Sequence, residues 1–274
     1  MPLFEIDKET CNECGLCVEI CAGDFVVMEE GSYPHESEDA EEICIRCGHC
    51  VTICPSGSFS LREMPPQQCP LVQKDLLLTP EHCEHFLRYR RTIRDFKKKP
   101  VSKDTLTRLI EIARYAPSGF NSQCAEWLVL GDRDELNELA GVAADWMRWM
   151  IAKLPDIAKA IRLDKDLQLW DDGADIIFQD APVVILTHAD NDNYTARETC
   201  TIALTYLELA ATSLGLGCCW AGYLEKAATF FPPMQEALAL PEGHKCFGAM
   251  MVGYPKYKHH RLAARNQPKI TWHM

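Results

Sequence analysis

Two copies of one cysteine spacing constrain this chain more than any other feature. Cys11, Cys14, Cys17 and Cys21 follow the spacing C-x2-C-x2-C-x3-C, and Cys44, Cys47, Cys50 and Cys54 repeat it 33 residues later, with Pro55 after the second copy. The opening residues MPLFEIDK hold neither a basic n-region nor an apolar h-region, so no secretory leader is expected. Disulfides are then not the default use of so many thiols; metal ligation is. A spacing repeated in this way implies two copies of one small unit packed on each other. Gly15 and Gly48 hold equivalent places in the two copies, where the backbone must turn tightly.

Thiolates at x2 spacing converge from a winding loop onto one iron-sulfur cubane, while the fourth cysteine of each run reaches the other cluster. The expected ligand sets are therefore Cys11, Cys14, Cys17 and Cys54 for one [4Fe-4S] cluster, and Cys44, Cys47, Cys50 and Cys21 for a second. A zinc site takes four ligands and suits two such runs poorly. Residues 3-62 closely resemble bacterial-type two-cluster ferredoxins, with Ala22 in place of the proline that often follows the first run. His49, between Cys47 and Cys50, is read as a solvent-side residue. The other seven cysteines, Cys69, Cys83, Cys124, Cys200, Cys218, Cys219 and Cys246, form no such run and are mostly expected in the core. Cys218-Cys219 follow a glycine turn, which also makes them candidates to lie beside a cofactor.

Charge separates this segment from the rest. Residues 1-60 hold 13 Asp/Glu against 2 Lys/Arg, nearly the whole net charge of -12 carried by the 274 residues. That balance argues against nucleic-acid and anionic-membrane binding. The loop 29-42 alone has seven acids and no base, a solvated face or a dock for a basic redox partner. An apolar share of 47% is ample for a core. Residues 199-224 carry one charge, Glu208, but Gly215, Gly217 and recurrent Thr and Ser break the run. It reads as a buried helix followed by a buried strand, not as a membrane span of about 20 apolar residues.

The organisation expected is a ferredoxin domain over 1-62, a linker over 63-84 with Pro65, Pro66 and Pro70, and a larger domain over 85-274. Thr79, Pro80 and Glu81 start a helix to about Arg90. Ser102 caps a second, with Leu106, Leu109, Ile110 and Ala113 as its apolar stripe. Short buried strands are expected at Trp127 to Leu130, Pro182 to Leu186, Cys218 to Tyr223 and Ala249 to Val252, around a central helix at 199-214. The tail from Lys269 to Trp272 reads as extended. Strands and helices mix without the regular alternation of a doubly wound fold, so the class is α+β.

No G-x-G-x-x-G follows a strand and no G-x-x-x-x-G-K-[ST] occurs, so a phosphate cofactor would have to be held by side chains. The basic run 88-99 supplies them. Arg90, Thr92 and Arg94 alternate, which places two guanidiniums and a hydroxyl on one side of an extended segment, a set suited to a phosphomonoester.

Arg90-Arg91-Thr92-Ile93-Arg94-Asp95-Phe96, then a helix, then Ala116-Pro117-Ser118-Gly119-Phe120-Asn121-Ser122-Gln123, resemble the flavin-binding segments of nitroreductase-like flavoproteins. Leu209 to Gly217, Leu240-Pro241-Glu242-Gly243, Gly253-Tyr254-Pro255 and Arg265 fit the same family, so the resemblance covers about residues 85-274. It implies a mixed sheet flanked by helices, FMN at a homodimer interface and a C-terminal tail wrapping the partner. Position by position, Arg90, Arg91, Thr92 and Arg94 would bind phosphate and ribityl chain. Pro117, Ser118, Gly119 and Asn121 would touch the isoalloxazine from the other subunit. Ala221 and Gly222 would offer backbone near the ring, and Arg265 would reach the phosphate. Cys124-Ala125-Glu126 depart from the family at the pocket rim, and Ala263 stands where a base is frequent. In the family, the region matching 142-180 often lids the substrate; here Trp146 and Met150 sit at i,i+4 and equally suit helix packing.

Clusters pass single electrons and a flavin delivers pairs as hydride. The combination implies an FMN oxidoreductase fed through the clusters, by ferredoxin or flavodoxin, that reduces a small acceptor: a nitro compound, a quinone or a conjugated alkene. Two alternatives stand beside it. In one, NAD(P)H is the direct reductant, with the clusters as outlet; in the other, the chain is a redox carrier or sensor with no substrate of its own. Exposed clusters suit a reducing cytoplasm.

Overall fold

The computed structural model describes residues 2–274. They form two compact units: one runs to Leu77 and takes in residues 120–122, and the other comprises Leu78–Gly119 and Gln123–Met274.

The first unit is built from β1 (Phe4–Ile6), α1 (Leu16–Glu19), β2 (Val26–Val27), β3 (His35–Glu36), α2 (Ala40–Ile43), α3 (His49–Ile53) and β4 (Phe59–Leu61). β1 pairs antiparallel with β4, Phe4 opposite Leu61, and β2 with β3. Leu3, Phe4, Val26, Ala40, Val51, Phe59 and Leu61 make its small core. The repeat seen in the cysteines extends to the backbone. Glu13 and Arg46, Gly15 and Gly48, and Asp24 and Gly57 all have positive φ, at 33-residue intervals. Gly15 (φ 73°) and Gly48 (φ 76°) each open a short helix that carries the third cysteine of its run. Three of these six positions, Glu13, Asp24 and Arg46, hold left-handed backbone without glycine, strain that the turns around the thiols impose. Of the acidic loop, Glu36 accepts from the Phe4 amide and Glu41 pairs with Arg62 at 2.7 Å, so part of its charge is used internally.

The second unit opens with α4 (Pro80–Tyr89) and α5 (Lys103–Ala113). Thr79 and Ser102 cap them as expected, accepting from the His82 and Thr105 amides. β5 (Glu126–Leu130), α6 (Arg133–Lys153), α7 (Pro155–Ala160), α8 (Leu163–Asp171), β6 (Val183–Asp190), α9 (Ala196–Ser213), β7 (Gly217–Trp220), α10 (Gly222–Phe230), α11 (Pro232–Leu238) and β8 (His244–Gly253) follow. The sheet order is β5-β6-β8-β7, antiparallel throughout. The parallel element is a single bridge from Thr92 to Cys218.

Both faces of this sheet are covered. Val184, Leu186, Ala249 and Met251 face one core with α6 and α10; Val183, Ile185, Met250 and Val252 face the other with α5 and α9. That is why the central strands read as unbroken apolar runs rather than alternating ones. α9 approaches so closely that a Cβ on Gly248 would lie 2.6 Å from Leu204 Cδ1. The fully buried Leu204 is a site where truncation to Ala costs about 2–5 kcal/mol.

Two local expectations need correction, and one open alternative is narrowed. The strand at Trp127 to Leu130 is present but mostly half-buried, because β5 is the sheet edge; only Leu130 is fully covered. The strand expected over Cys218 to Tyr223 ends at Trp220, and Gly222 and Tyr223 already begin α10. Its local sequence, small and apolar, carries no signal that separates a strand end from a helix start. Trp146, Met147 and Met150 are buried in the core along one stripe of α6, so these three side chains serve helix packing.

Candidate functional site

In the first unit the eight repeat cysteines fall into two groups. Cys11, Cys14, Cys17 and Cys54 line one cavity, together with Ile6, Pro34 and Phe59. Cys21, Cys44, Cys47 and Cys50 line another, of about 290 Å³, walled by Leu3, Phe4, Val26 and Leu61. Each group joins three cysteines of one run to the last of the other. All eight are free thiols, so each cavity presents four soft donors, the set that suits an iron-sulfur cubane. Burial pushes Cys17 and Cys44 up and Cys50 to about 12. Burial also acts on Cys54, but hydrogen bonds from the Ser58 and Ser56 hydroxyls outweigh it and bring the thiol to about 7. His49 is exposed, its Nδ1 3.6 Å from Cys47 Sγ.

In the second unit the segment after α4 lies beside β7. The Ile93 amide donates to the Cys218 carbonyl at 2.9 Å. The close fit is visible at Gly217, where a Cβ would lie 2.4 Å from Ile93 Cγ1. Together they wall a cavity of about 280 Å³, near the lower end of the range for small-molecule sites. Arg90, Arg91, Lys97, Lys256, Lys258 and His259 line it. Its one acid among the described residues, Glu208, is paired with Arg90 at 2.8 Å. The remaining bases suit an anion the size of a phosphate.

The structure gathers some of the expected residues and separates others. Arg90 and Arg91 line this cavity, with Thr92 bridging to Cys218. Arg94 turns instead to the Cys219 thiol; burial raises that thiol, against the pull of the Arg94 charge. Ser118 lines a different cavity of about 280 Å³, with Arg114, Gln123, Trp127 and Thr199. Thr199 Oγ1 is buried there with no hydrogen-bond partner among the described residues. Ser118 Oγ accepts from the Gln123 amide at 3.0 Å, and Gly119 sits against Thr195. Phe120, Asn121 and Gln123 all have positive φ, a concentration of backbone strain in the Pro117 to Gln123 loop. Asn121 belongs to the first unit, where its Nδ2 donates to the Ile45 and Arg46 carbonyls. Ala221 is buried, and its amide is used by the Ala249 carbonyl. Gly222 is exposed at the start of α10, which has no side-chain cap. Arg265 lies on the exposed tail and donates to the Ala264 carbonyl at 3.2 Å.

Lys256 and Lys258 were not singled out from the sequence. Their signal was present: they directly follow Gly253-Tyr254-Pro255, and Tyr254 and Pro255 line the same cavity. Of the seven cysteines outside the runs, Cys200, Cys218, Cys219 and Cys246 are buried. Cys218 lines the basic cavity, and burial drives its thiol far up.

Comparison with known proteins agrees with this geometry. The nitroreductase family model matches residues 87–254, and a 4Fe-4S dicluster domain model matches residues 10–59. The chain is 26% identical over 176 residues to a protein of Archaeoglobus fulgidus named as a putative NADH dehydrogenase/NAD(P)H nitroreductase, covering 64% of this chain and 87% of that one. A nitroreductase with bound FMN from Desulfitobacterium hafniense superposes with a TM-score of 0.57 at 25% identity, covering 71% of this chain and 99% of that one. One from Bacteroides fragilis, also with bound FMN, gives 0.56 at 24%, over 69% and 97%. Among the described residues no helix is long and apolar enough to cross a membrane.

Proposed function

The chain belongs to the nitroreductase family and is a flavin oxidoreductase with a 4Fe-4S dicluster domain; on that premise we propose that it binds two [4Fe-4S] clusters and FMN, and moves electrons from the clusters through the flavin to a small acceptor. The observation that carries this reading is the donor chemistry of three cavities in one chain. Two present four thiols each, and the third is basic, walled by glycine and held by side chains.

Bound FMN supplies the exchange between one-electron and hydride chemistry. Arg90, Arg91 and Thr92, joined by Lys256 and Lys258, would hold its phosphate and ribityl chain, and Gly217 lets that chain lie close to β7. Arg94 would orient from the Cys219 side. The first turn of α10 at Gly222 offers uncapped amides, which favour negative charge developing on a ring beside them. Ala221 spends its amide on the sheet, which leaves Gly222 as the donor of the pair. Pro117, Ser118 and Gly119 do not line the basic cavity. This supports a site completed by a second copy of the chain, with Arg265 arriving on the partner's tail. FMN-bound nitroreductases among the structural neighbours support the cofactor. Nitro compounds, quinones and conjugated alkenes remain the acceptor classes, and a cytoplasmic setting suits thiol-ligated clusters.

A second reading, direct reduction by NAD(P)H with the clusters as outlet, is favoured by the name of the Archaeoglobus relative. An anaerobic absorbance titration separates the two. Reduced ferredoxin or flavodoxin is expected to bleach the flavin bands while NADPH and NADH leave them oxidised. Prompt bleaching by a nicotinamide establishes the second reading. Reduction by both without turnover of any acceptor reduces the chain to a carrier. Absence of flavin bands after adding FMN overturns the cofactor assignment.

A further inference from the structure

Three side chains that take no part in the sites above converge at one end of the four-stranded sheet. Glu126 opens β5, His188 lies on β6, and His244 opens β8, three adjacent strands. The register sets Glu126 opposite His188, and His244 opposite Asp190 two residues further along β6. The β6–β8 register shifts between Thr187 and His188, an irregularity of the kind that re-aims a side chain at a sheet end.

The result is a compact donor set. His188 Nδ1 stands 2.9 Å from His244 Nδ1, and His244 Nε2 stands 4.0 Å from Glu126 Oε1. One ligand atom from each of the three lies within 4.8 Å of the other two. His188 is 6% exposed, whereas the Glu126 side chain is 58% exposed. The set is thus anchored in the protein on one side and open to solvent on the other.

Two imidazole nitrogens at this distance cannot both carry a proton; one must present a lone pair to the other. We propose that Glu126, His188 and His244 form a site for a divalent transition metal of the zinc class, with the remaining position open to water. Two imidazoles and one carboxylate are a borderline donor set that suits zinc and its neighbours and not calcium or magnesium. Two nitrogens bound to one tetrahedral zinc at about 2.1 Å stand about 3.4 Å apart, so a ring adjustment of about half an ångström converts the His–His contact into a chelate. The exposed Glu126 carboxylate is free to swing onto the ion. All three ligands sit on strands rather than loops, so a bound ion clips β5, β6 and β8 together at their shared end. This site is separate from the cluster cysteines and from the basic cavity, and it does not depend on the electron-transfer reading.

The test uses the full-length protein with its iron-sulfur and flavin content intact, washed briefly with EDTA, desalted anaerobically and titrated with zinc chloride. Bound zinc is measured by mass spectrometry alongside iron, and melting is followed in parallel. The wild type is expected to bind one zinc per chain more than Glu126→Gln or His244→Asn, and to melt higher with zinc than without. Each variant is expected to bind that ion at least about tenfold more weakly. Both substitutions are at exposed or half-buried positions, and melting without zinc checks that they fold. Equal zinc content and affinity in wild type and in both folded variants overturns the proposal, as does a wild type that binds no zinc.

Discussion

The Arg90 guanidinium donates to Glu208 Oε1 at 2.8 Å, across 118 residues of sequence. Glu208 is the only charged residue in the stretch 199-224, and it is 8% exposed on the otherwise apolar middle of α9. The pair ties the end of α4 to the central helix and forms one wall of the basic cavity. Glu208 therefore sets where Arg90 stands, although it carries the wrong sign to bind a phosphate itself.

Removing one partner leaves a charge stranded. Arg90→Ala is expected to destabilise the flavin-free protein by about 2–3 kcal/mol, at or just below the roughly 3–5 kcal/mol of a fully buried broken pair because Arg90 keeps partial contact with water. Glu208→Gln, which keeps a hydrogen-bond acceptor, is expected to cost less. Urea midpoints of the two variants check this, and equal losses would mean that the ion pair is not what holds the segment.

Glycines 217 and 222 separate packing from cofactor contact. Gly217→Ala drives a methyl into Ile93 and is expected to cost about 1–3 kcal/mol and to release flavin. Around Gly222 a Cβ meets nothing within 4 Å. Gly222→Ala should leave melting unchanged or raise it slightly, because Ala is the better helix former. Lower flavin occupancy in a Gly222→Ala protein of undiminished stability would place the ring against α10. Unchanged occupancy would remove Gly222 from the site.

The crossed ligand sets make a double-mutant test. Cys54→Ala is expected to lose about four of about eight irons per chain. Adding Cys14→Ala should lose no more, since both residues line the same cavity, whereas adding Cys47→Ala should remove the remainder. Iron counts with the opposite pattern would assign each run its own cluster.

The Tyr223 hydroxyl donates to Asp166 Oδ2 at 2.6 Å, joining α10 to α8. Burial first, then the Asp166 carboxylate, raises the Tyr223 pKa above its usual 10. The folded protein thus keeps a proton that the unfolded chain releases, so this contribution is whole below pH 10 and falls as pH rises beyond it. Tyr223→Phe is expected to cost about 1 kcal/mol at pH 7. Between pH 9 and pH 11 its melting temperature should fall less than that of the wild type. A parallel fall in both would show that Tyr223 does not contribute.

Local sequence carried the caps at Thr79 and Ser102, because a cap is decided by two or three neighbouring residues. It also carried the repeat of the cysteine runs, and the positive-φ positions at the same 33-residue interval follow from it. Three things it could not carry depend on neighbours distant in the chain. Trp127 lies on an edge strand because no partner strand covers β5 on that side. α10 begins at Gly222 because the Ala221 amide is taken by Ala249 at the sheet end, after which the chain turns away. Lys256 and Lys258 join Arg90 because β8 delivers the C-terminal segment to the same cavity as α4.

The sequence by itself determined the donors: eight thiols in a spacing that only a few metal centres can use, and a run of arginines where no backbone phosphate motif exists. Those are local choices of chemistry, and a short stretch of chain is enough to express them. Tertiary structure alone decided the other groupings. The crossing of Cys54 to the first run and Cys21 to the second was already legible in the spacing, but only the fold set Glu208 beside Arg90 and brought Glu126, His188 and His244 from three strands to one point. A side chain's partner is fixed by strand register and helix packing, which sum over the whole fold, and no window of sequence contains that sum.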